Sequence, residues 1–174
     1  QVIAVVKAKN LVPFLDMAYQ GFGNGIAEDG AVIQKFVAAG LAFFVSTSFS
    51  KSFSLYGERV GALSVLCQSK EEADRVLSQL KIAIRTNYSN PPIHGGAVVA
   101  AVLNTPELRA LWEKELGEMR VRIKAMRSKL VDGLKAAGVK QDMSFMTEQI
   151  GMFSYSGLSK EQMLRLRSEF GVYG

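Results

Sequence analysis

A chain of 174 residues that is 48% hydrophobic can bury a sizeable core, which argues against an intrinsically disordered protein. Its 21 basic and 16 acidic residues are interspersed, so the net charge of +5 predicts a solvated surface and no nucleic-acid partner. One cysteine and one histidine exclude an internal disulfide and a Cys/His metal cluster. The sequence has neither a signal-peptide pattern nor an apolar run of membrane length, so we predict a cytoplasmic protein without a membrane partner.

Strands and helices alternate in the first part of the chain. Residues 1–10 have a helical pattern without a helix start. The following pattern predicts a strand in "LVPFLD" (11–16), a helix in "AEDGAVIQKFVAAG" (27–40), a strand in "LAFFVS" (41–46) and a strand in "RVGALSVLC" (59–67). Such continuous apolar runs are typical of parallel strands that are covered on both faces.

Helices dominate the rest of the chain. The sequence predicts helices in 69–89 with Ser69 as N-cap, in 95–104, in 105–138 with Thr105 as N-cap, and in 159–171 with a capping box; it predicts strands in "QIGMFSYSGL" (149–158) and from "VYG" (172–174). This order predicts an α/β sheet followed by part of an α+β unit. Both ends look open, so we expect an internal segment of a larger protein.

Two loops that follow predicted strands carry polar groups suited to catalysis. The first contains Asp16 and Tyr19, and the second contains Ser48, Lys51 and Arg59. Hydroxyls and an arginine suit a phosphate, and a nearby cation with partial burial favours the uncharged, nucleophilic form of a lysine. A carboxylate can pair with a pyridinium nitrogen. The alternative is that Asp16 caps a loop, Lys51 is solvated and Arg59 forms a surface ion pair.

Four segments carry a family resemblance: "PFLDMAYQGFGNG", "STSFSKSFSLYGERVG", "IRTNYSNPPIHG" and "GMFSYSGLSKEQMLRLRSEFGVY". In this order they resemble the motifs of the aspartate and aromatic amino-acid aminotransferases, which are fold type I pyridoxal-phosphate enzymes. The resemblance implies that residues 1–105 are the C-terminal part of the large, cofactor-binding domain, with a mixed, mostly parallel sheet and flanking helices. It implies that residues 106–174 are the long interdomain helix and the start of the α+β small domain.

The same resemblance implies roles for the two loops. Lys51 binds pyridoxal 5'-phosphate as the internal aldimine and later moves the proton between the substrate α-carbon and the cofactor. Asp16 contacts the pyridine nitrogen, and Tyr19 contacts the phenolic oxygen. Ser48 and Arg59 bind the phosphate.

For the substrate, the resemblance implies a homodimer with shared active sites. Arg85 binds the side-chain carboxylate of a dicarboxylic substrate in the partner's site, with Asn87, Ser89 and Asn90 nearby, and Phe153 faces the substrate pocket. The reaction is transamination between an aromatic or acidic L-amino acid and a 2-oxo acid such as 2-oxoglutarate. The first two motifs favour the bacterial aromatic branch. Other family groups, including the arginine for the α-carboxylate, are not found in this chain, so we expect the isolated segment to be inactive.

Two other readings remain open. "SFSK" (48–51) is also the S-x-x-K string of penicillin-binding proteins, although their S-D-N and K-T-G strings are absent and the string should open a helix. A non-catalytic dimerisation or binding fragment is the second, because the long helix and the Arg85 segment can form an interface. His94 follows two prolines and is interpreted as structural.

Overall fold

The structure, a computed structural model, describes residues 1–174 and divides into two compact units, residues 1–121 (unit 1) and 122–174 (unit 2). The division falls inside the longest helix. The elements, in chain order, are α1 (Val2–Ala8), β1 (Phe14–Met17), α2 (Ile26–Ala38), β2 (Phe43–Ser48), β3 (Gly61–Leu66), α3 (Lys70–Asn87), α4 (Ile93–Asn104), α5 (Pro106–Ala136), α6 (Phe145–Glu148) and α7 (Lys160–Phe170). None of the helices combines the length and the apolar character needed to cross a membrane.

Unit 1 contains a three-stranded sheet in the order β1-β2-β3, which confirms the predicted mixed α/β class. β1 is parallel to β2, with Asp16 opposite Ser46, and β2 is antiparallel to β3, with Ser48 opposite Gly61. The parallel pair brings the carboxyl ends of β1 and β2 to the same edge of the sheet. The antiparallel pair makes residues 49–60 leave from that edge and return to it.

The core of unit 1 lies between α2 and β2. Phe36 of α2 packs against Phe43 of β2, with ring centroids 5.6 Å apart, and Val45 lies beside them. β1 differs from the expected strand with two covered faces, because Phe14 is 60% exposed. Its ring stacks on that of Phe44, its partner residue in β2, at a centroid distance of 6.1 Å.

Two of the helix caps that were predicted from local signals, at Ser69 and Ser159, are present. The Ser69 side chain accepts a hydrogen bond from the N–H of Glu72, and Ser159 forms the reciprocal capping box with Gln162. Gly138, where the long helix was predicted to stop, has φ +78 and follows the end of α5. A glycine adopts this left-handed conformation at little steric cost.

The predicted strands in 149–158 and 172–174 are wrong, since both segments are irregular. Alternating apolar residues form a strand only where a neighbouring strand accepts their backbone hydrogen bonds, and unit 2 offers none. The hydrogen-bond partner of this segment is the buried guanidinium of Arg127. It donates to the carbonyl oxygens of Gln149, Gly151 and Phe153. Arg127 Nε also donates to Ser154 Oγ at 2.6 Å.

Candidate active site

Asp16 lies at the carboxyl end of β1, directly across from β2. Ser46 Oγ donates a hydrogen bond of 2.8 Å to Asp16 Oδ1. The parallel register makes this contact possible, because it places the two residues opposite each other. One carboxylate oxygen of Asp16 is therefore fixed on the sheet, and the carboxylate keeps a second oxygen for another donor.

Lys51 meets Tyr19 across the gap between the two loops. The Nζ atom of Lys51 lies 4.7 Å from the centroid of the Tyr19 ring, a distance at which an ammonium is attracted to the ring face. The lysine is half-buried, and the neighbouring Ser50 is buried. The structure thus brings together the lysine of one loop and the tyrosine of the other, which are far apart in sequence.

Ser48 and Arg59 lie near the two ends of the β2–β3 loop, residues 49–60, which carries Lys51. Ser48 ends β2, and the N–H of the next residue, Phe49, donates to the carbonyl of Val60 at 3.2 Å. Gly61 lies opposite Ser48, so Arg59 lies two residues before the start of β3, near the point where β2 ends. The Arg59 guanidinium donates to the Tyr56 carbonyl at 3.0 Å, and since a guanidinium has five N–H donors, others remain for an anion.

The backbone at Arg59 is unusual for a residue with a side chain. Its φ is +50, in the left-handed region that few residues other than glycine occupy. Conformations of this kind cost free energy, and they are concentrated at sites where the geometry serves a function. The Ser48–Lys51 segment also lacks the helix that an S-x-x-K nucleophile requires, because Ser48 ends a strand and Lys51 lies in a turn.

Asp29 organises the glycine-rich loop after Tyr19, and sequence reasoning missed this role. Its carboxylate accepts hydrogen bonds from the N–H groups of Gly21, Gly23 and Asn24 at 2.8, 2.9 and 2.9 Å. Burial acts to raise the pKa of Asp29, but these backbone donors outweigh it, and the pKa lies below its usual value. The signal that could have revealed this arrangement is an aspartate in the first turn of α2, directly after several glycines.

The two predicted substrate residues belong to other elements of the chain. Arg85 is exposed in the last turn of α3, and its guanidinium donates to Ser89 Oγ in its own segment. Phe153 belongs to unit 2, where its side chain is 71% exposed and its carbonyl accepts from Arg127 Nη2 at 2.9 Å. Among the residues predicted for the cofactor, the structure brings Lys51 and Tyr19 together, and Asp16, Ser48 and Arg59 lie at or near the strand ends that carry the two loops.

A cavity of about 300 Å³ adjoins residues 52–54, which follow Lys51. It is lined by Phe53, Trp112, Leu116 and other largely apolar side chains, and by none of the charged residues predicted for the site. Because α5 supplies much of the lining of this cavity, we attribute the cavity to the packing of that helix. The candidate site is therefore defined by the residues at the strand ends.

Comparison with known proteins gives a consistent result. The family model "Aminotransferase class I and II" matches residues 1–174. An aspartate aminotransferase of Pseudomonas aeruginosa is 65% identical over 99% of this chain and 44% of its own length, and an aromatic-amino-acid aminotransferase of Escherichia coli is 56% identical over 99% and 43%. The structure of an aromatic-amino-acid aminotransferase from Burkholderia pseudomallei, covalently bound to pyridoxal phosphate, superposes with a TM-score of 0.97 at 68% identity, covering 100% of this chain and 44% of that one. The chain thus spans less than half the length of these relatives, and it belongs to the family of class I and II aminotransferases.

Proposed function

We propose that this chain supplies the reactive lysine and much of the cofactor-binding surface of a pyridoxal-phosphate-dependent aminotransferase. The observation that carries the proposal is the position of Lys51 Nζ at 4.7 Å from the ring of Tyr19, which lies in the loop that follows β1 and Asp16. The relative from Burkholderia pseudomallei, which is covalently bound to pyridoxal phosphate, supports the same cofactor here.

The chemistry of these side chains fits the parts of pyridoxal phosphate. A primary amine, Lys51, matches the aldehyde; the Ser48 hydroxyl and the Arg59 guanidinium match the phosphate. The Asp16 carboxylate matches the protonated ring nitrogen, and the Tyr19 hydroxyl matches the phenolic oxygen. When bound, the cofactor supplies an electron sink for the electron pair left at the substrate α-carbon.

The residues of this chain then have separate tasks. Lys51 Nζ would accept the proton from the substrate α-carbon and would then donate it to the former aldehyde carbon of the cofactor. Contact with the Tyr19 ring limits where the amine can move. Ser46 Oγ orients the Asp16 carboxylate by its bond to Oδ1. The other oxygen of Asp16 is then available for the protonated ring nitrogen. Arg59 binds the phosphate where the β2–β3 loop leads into β3.

The substrates that follow from this proposal are an aromatic or acidic L-amino acid and a 2-oxo acid such as 2-oxoglutarate. Relatives named for aspartate and for aromatic amino acids match the chain at similar identity, so we propose both classes. Arg85 binds the second carboxylate of an acidic substrate. Its guanidinium is exposed and donates to Ser89 Oγ in its own segment, which supports a homodimer in which it enters the partner's site. Phe153 lines the substrate pocket in this proposal.

In this proposal, residues 1–105 belong to the large domain, and residues 106–174 provide the interdomain helix and the beginning of the small domain. A cytoplasmic location stays a prediction, supported by the single, half-buried cysteine. The isolated segment is expected to have little or no activity, because less than half of a relative's length is present.

A non-catalytic dimerisation or binding role for the isolated segment has one observation in its favour. Several apolar side chains of α5 are exposed. These are Leu108, Leu111, Val121, Met126 and Leu130, with exposed fractions from 40% to 65%. Such a surface binds another element of the protein or another chain.

A labelling experiment tests the proposed function. The full-length protein is incubated with pyridoxal phosphate and reduced with borohydride, and peptides are mapped by mass spectrometry. We expect the label on Lys51, its loss in Lys51→Ala, and its retention in Lys70→Ala, a change at an exposed lysine on α3. A label on another lysine, or none in the unaltered protein, refutes the proposal.

A further inference from the structure

The two loops of the candidate site rest on one face of α5. Trp112, Leu116 and Arg120 are spaced by four residues, which places them one above the other on a helix. Trp112 contacts the loop that contains Lys51, and Arg120 contacts the loop that follows Tyr19. All of these residues lie in unit 1.

Trp112 holds the chain next to Lys51. Its indole N–H donates a hydrogen bond of 2.6 Å to the carbonyl of Ser52, a residue 60 positions away in sequence. Its ring stacks on Phe53, with centroids 4.5 Å apart and planes 22° from parallel. Phe53 in turn meets Phe49 edge-on at 5.5 Å. The residues on both sides of Lys51 are thus connected, directly or through one ring, to the same tryptophan.

Arg120 and Leu116 hold the other loop. Arg120 Nη1 donates to the Gly21 carbonyl at 2.7 Å across 99 residues of sequence, while the Gly21 N–H donates to Asp29. Leu116 is 1% exposed, and a Cβ atom at Gly21 would lie 2.6 Å from its Cδ2. Gly21 also has φ +96, so only glycine suits this position. The peptide two residues after Tyr19 is therefore fixed on both its donor and its acceptor side.

We propose that Trp112 and Arg120 are positioning residues that set how Lys51 faces Tyr19. Each side chain holds a backbone carbonyl that is close in sequence to Lys51 or to Tyr19. Their Cα atoms are about 12 Å apart along the axis of a continuous helix, and a helix resists extension far better than a loop. The catalytic meaning of this arrangement rests on the function proposed above, whereas the mechanical coupling does not.

The test uses the full-length protein and changes one donor at a time. Trp112→Phe removes the indole N–H and keeps an aromatic ring for Phe53. Arg120→Met removes the guanidinium and keeps an alkyl stem, and Arg120→Lys restores a donor. Lys114→Met is the matched control, because this lysine is 73% exposed on the same helix and bonds to neither loop.

Two measurements are made. The first is amide hydrogen exchange in the cofactor-free protein. Losing one hydrogen bond is expected to speed exchange about fivefold, at the Phe53 and Ser54 amides for Trp112→Phe and at the Gly21 and Gly23 amides for Arg120→Met. The second is the pH midpoint of the absorbance change of bound pyridoxal phosphate. A threefold loss of correctly placed Lys51 moves this midpoint by about half a unit.

The outcomes separate the two proposals. Faster exchange in the loop that lost its donor, a displaced midpoint, recovery in Arg120→Lys and no effect of Lys114→Met support the positioning role. Unchanged exchange overturns it, and so does faster exchange with an unchanged midpoint, since α5 then only stabilises the loops. A borohydride label found away from Lys51 overturns the proposed function instead, while the exchange data still decide whether α5 holds the loops.

Discussion

Arg127 should be the residue on which the order of segment 149–154 depends. It is 5% exposed and donates to three carbonyl oxygens and to Ser154 Oγ. In Arg127→Met all four bonds are lost. At about 1 kcal/mol for each net bond, and with half recovered because water reaches the freed acceptors of this half-exposed segment, the loss is about 2 kcal/mol. That value corresponds to about a 30-fold increase in the population of the locally open segment.

Amide exchange of peptides from 149–158 in the full-length protein measures this population directly, because local opening limits exchange. The Tyr155 amide is a good reporter, since it donates to Gln149 Oε1 at 2.7 Å. Arg122→Met is the control, as Arg122 is an exposed arginine on the same helix. If both variants exchange at the same rate, the four hydrogen bonds do not hold the segment and the reasoning fails.

Three further changes have distinct outcomes. Because the folded-state pKa of Asp29 lies below the usual 3.8, its contribution to stability is present above that value and is lost as pH falls through the folded-state pKa; urea unfolding between pH 7 and 3 should therefore show a smaller acid loss in Asp29→Asn. Gly61→Ala places a Cβ 2.7 Å from a β2 carbonyl oxygen and should cost about 1–3 kcal/mol in unfolding free energy, whereas Gly57→Ala, with open space around it, should not. Arg85→Ala in the full-length protein should lower kcat/KM for dicarboxylic substrates about 10–100-fold more than for aromatic ones, and more than Arg75→Ala does; equal losses for both substrates contradict the proposed role.

Local signals in the sequence predicted most elements of this fold. A cap needs only a serine and the residue three positions later, so both Ser69 and Ser159 were found without knowledge of any neighbour. The alternation of apolar strands with helices likewise predicted the sheet. The prediction failed in 149–158, where the apolar alternation was read as a strand but the backbone bonds go to Arg127, more than 20 residues earlier. Whether a segment becomes a strand depends on its partner, which its own sequence does not contain.

The candidate site shows the same division. Lysine, aspartate, tyrosine and arginine were predicted because their chemistry is visible in single loops, whereas the residues that hold those loops were not. Asp29 lies in the predicted helix 27–40, and that prediction describes its position in α2 but not its three bonds to the preceding loop. Arg120 lies in the predicted helix 105–138, and no further role was predicted for it. A donor that acts across 99 residues has no periodicity or motif by which a sequence could reveal it.

The apolar stripe of α5 connects these observations. Apolar residues spaced by three and four positions share one side of this helix, and Leu116 on that side is buried almost completely. The same spacing puts a donor one turn before and one turn after Leu116, so the buried leucine excludes water between two hydrogen bonds that would otherwise compete with solvent. The packing contact and the polar contacts therefore depend on each other. A change at Leu116 should weaken both loop contacts at once, whereas a change at either donor should affect one loop only.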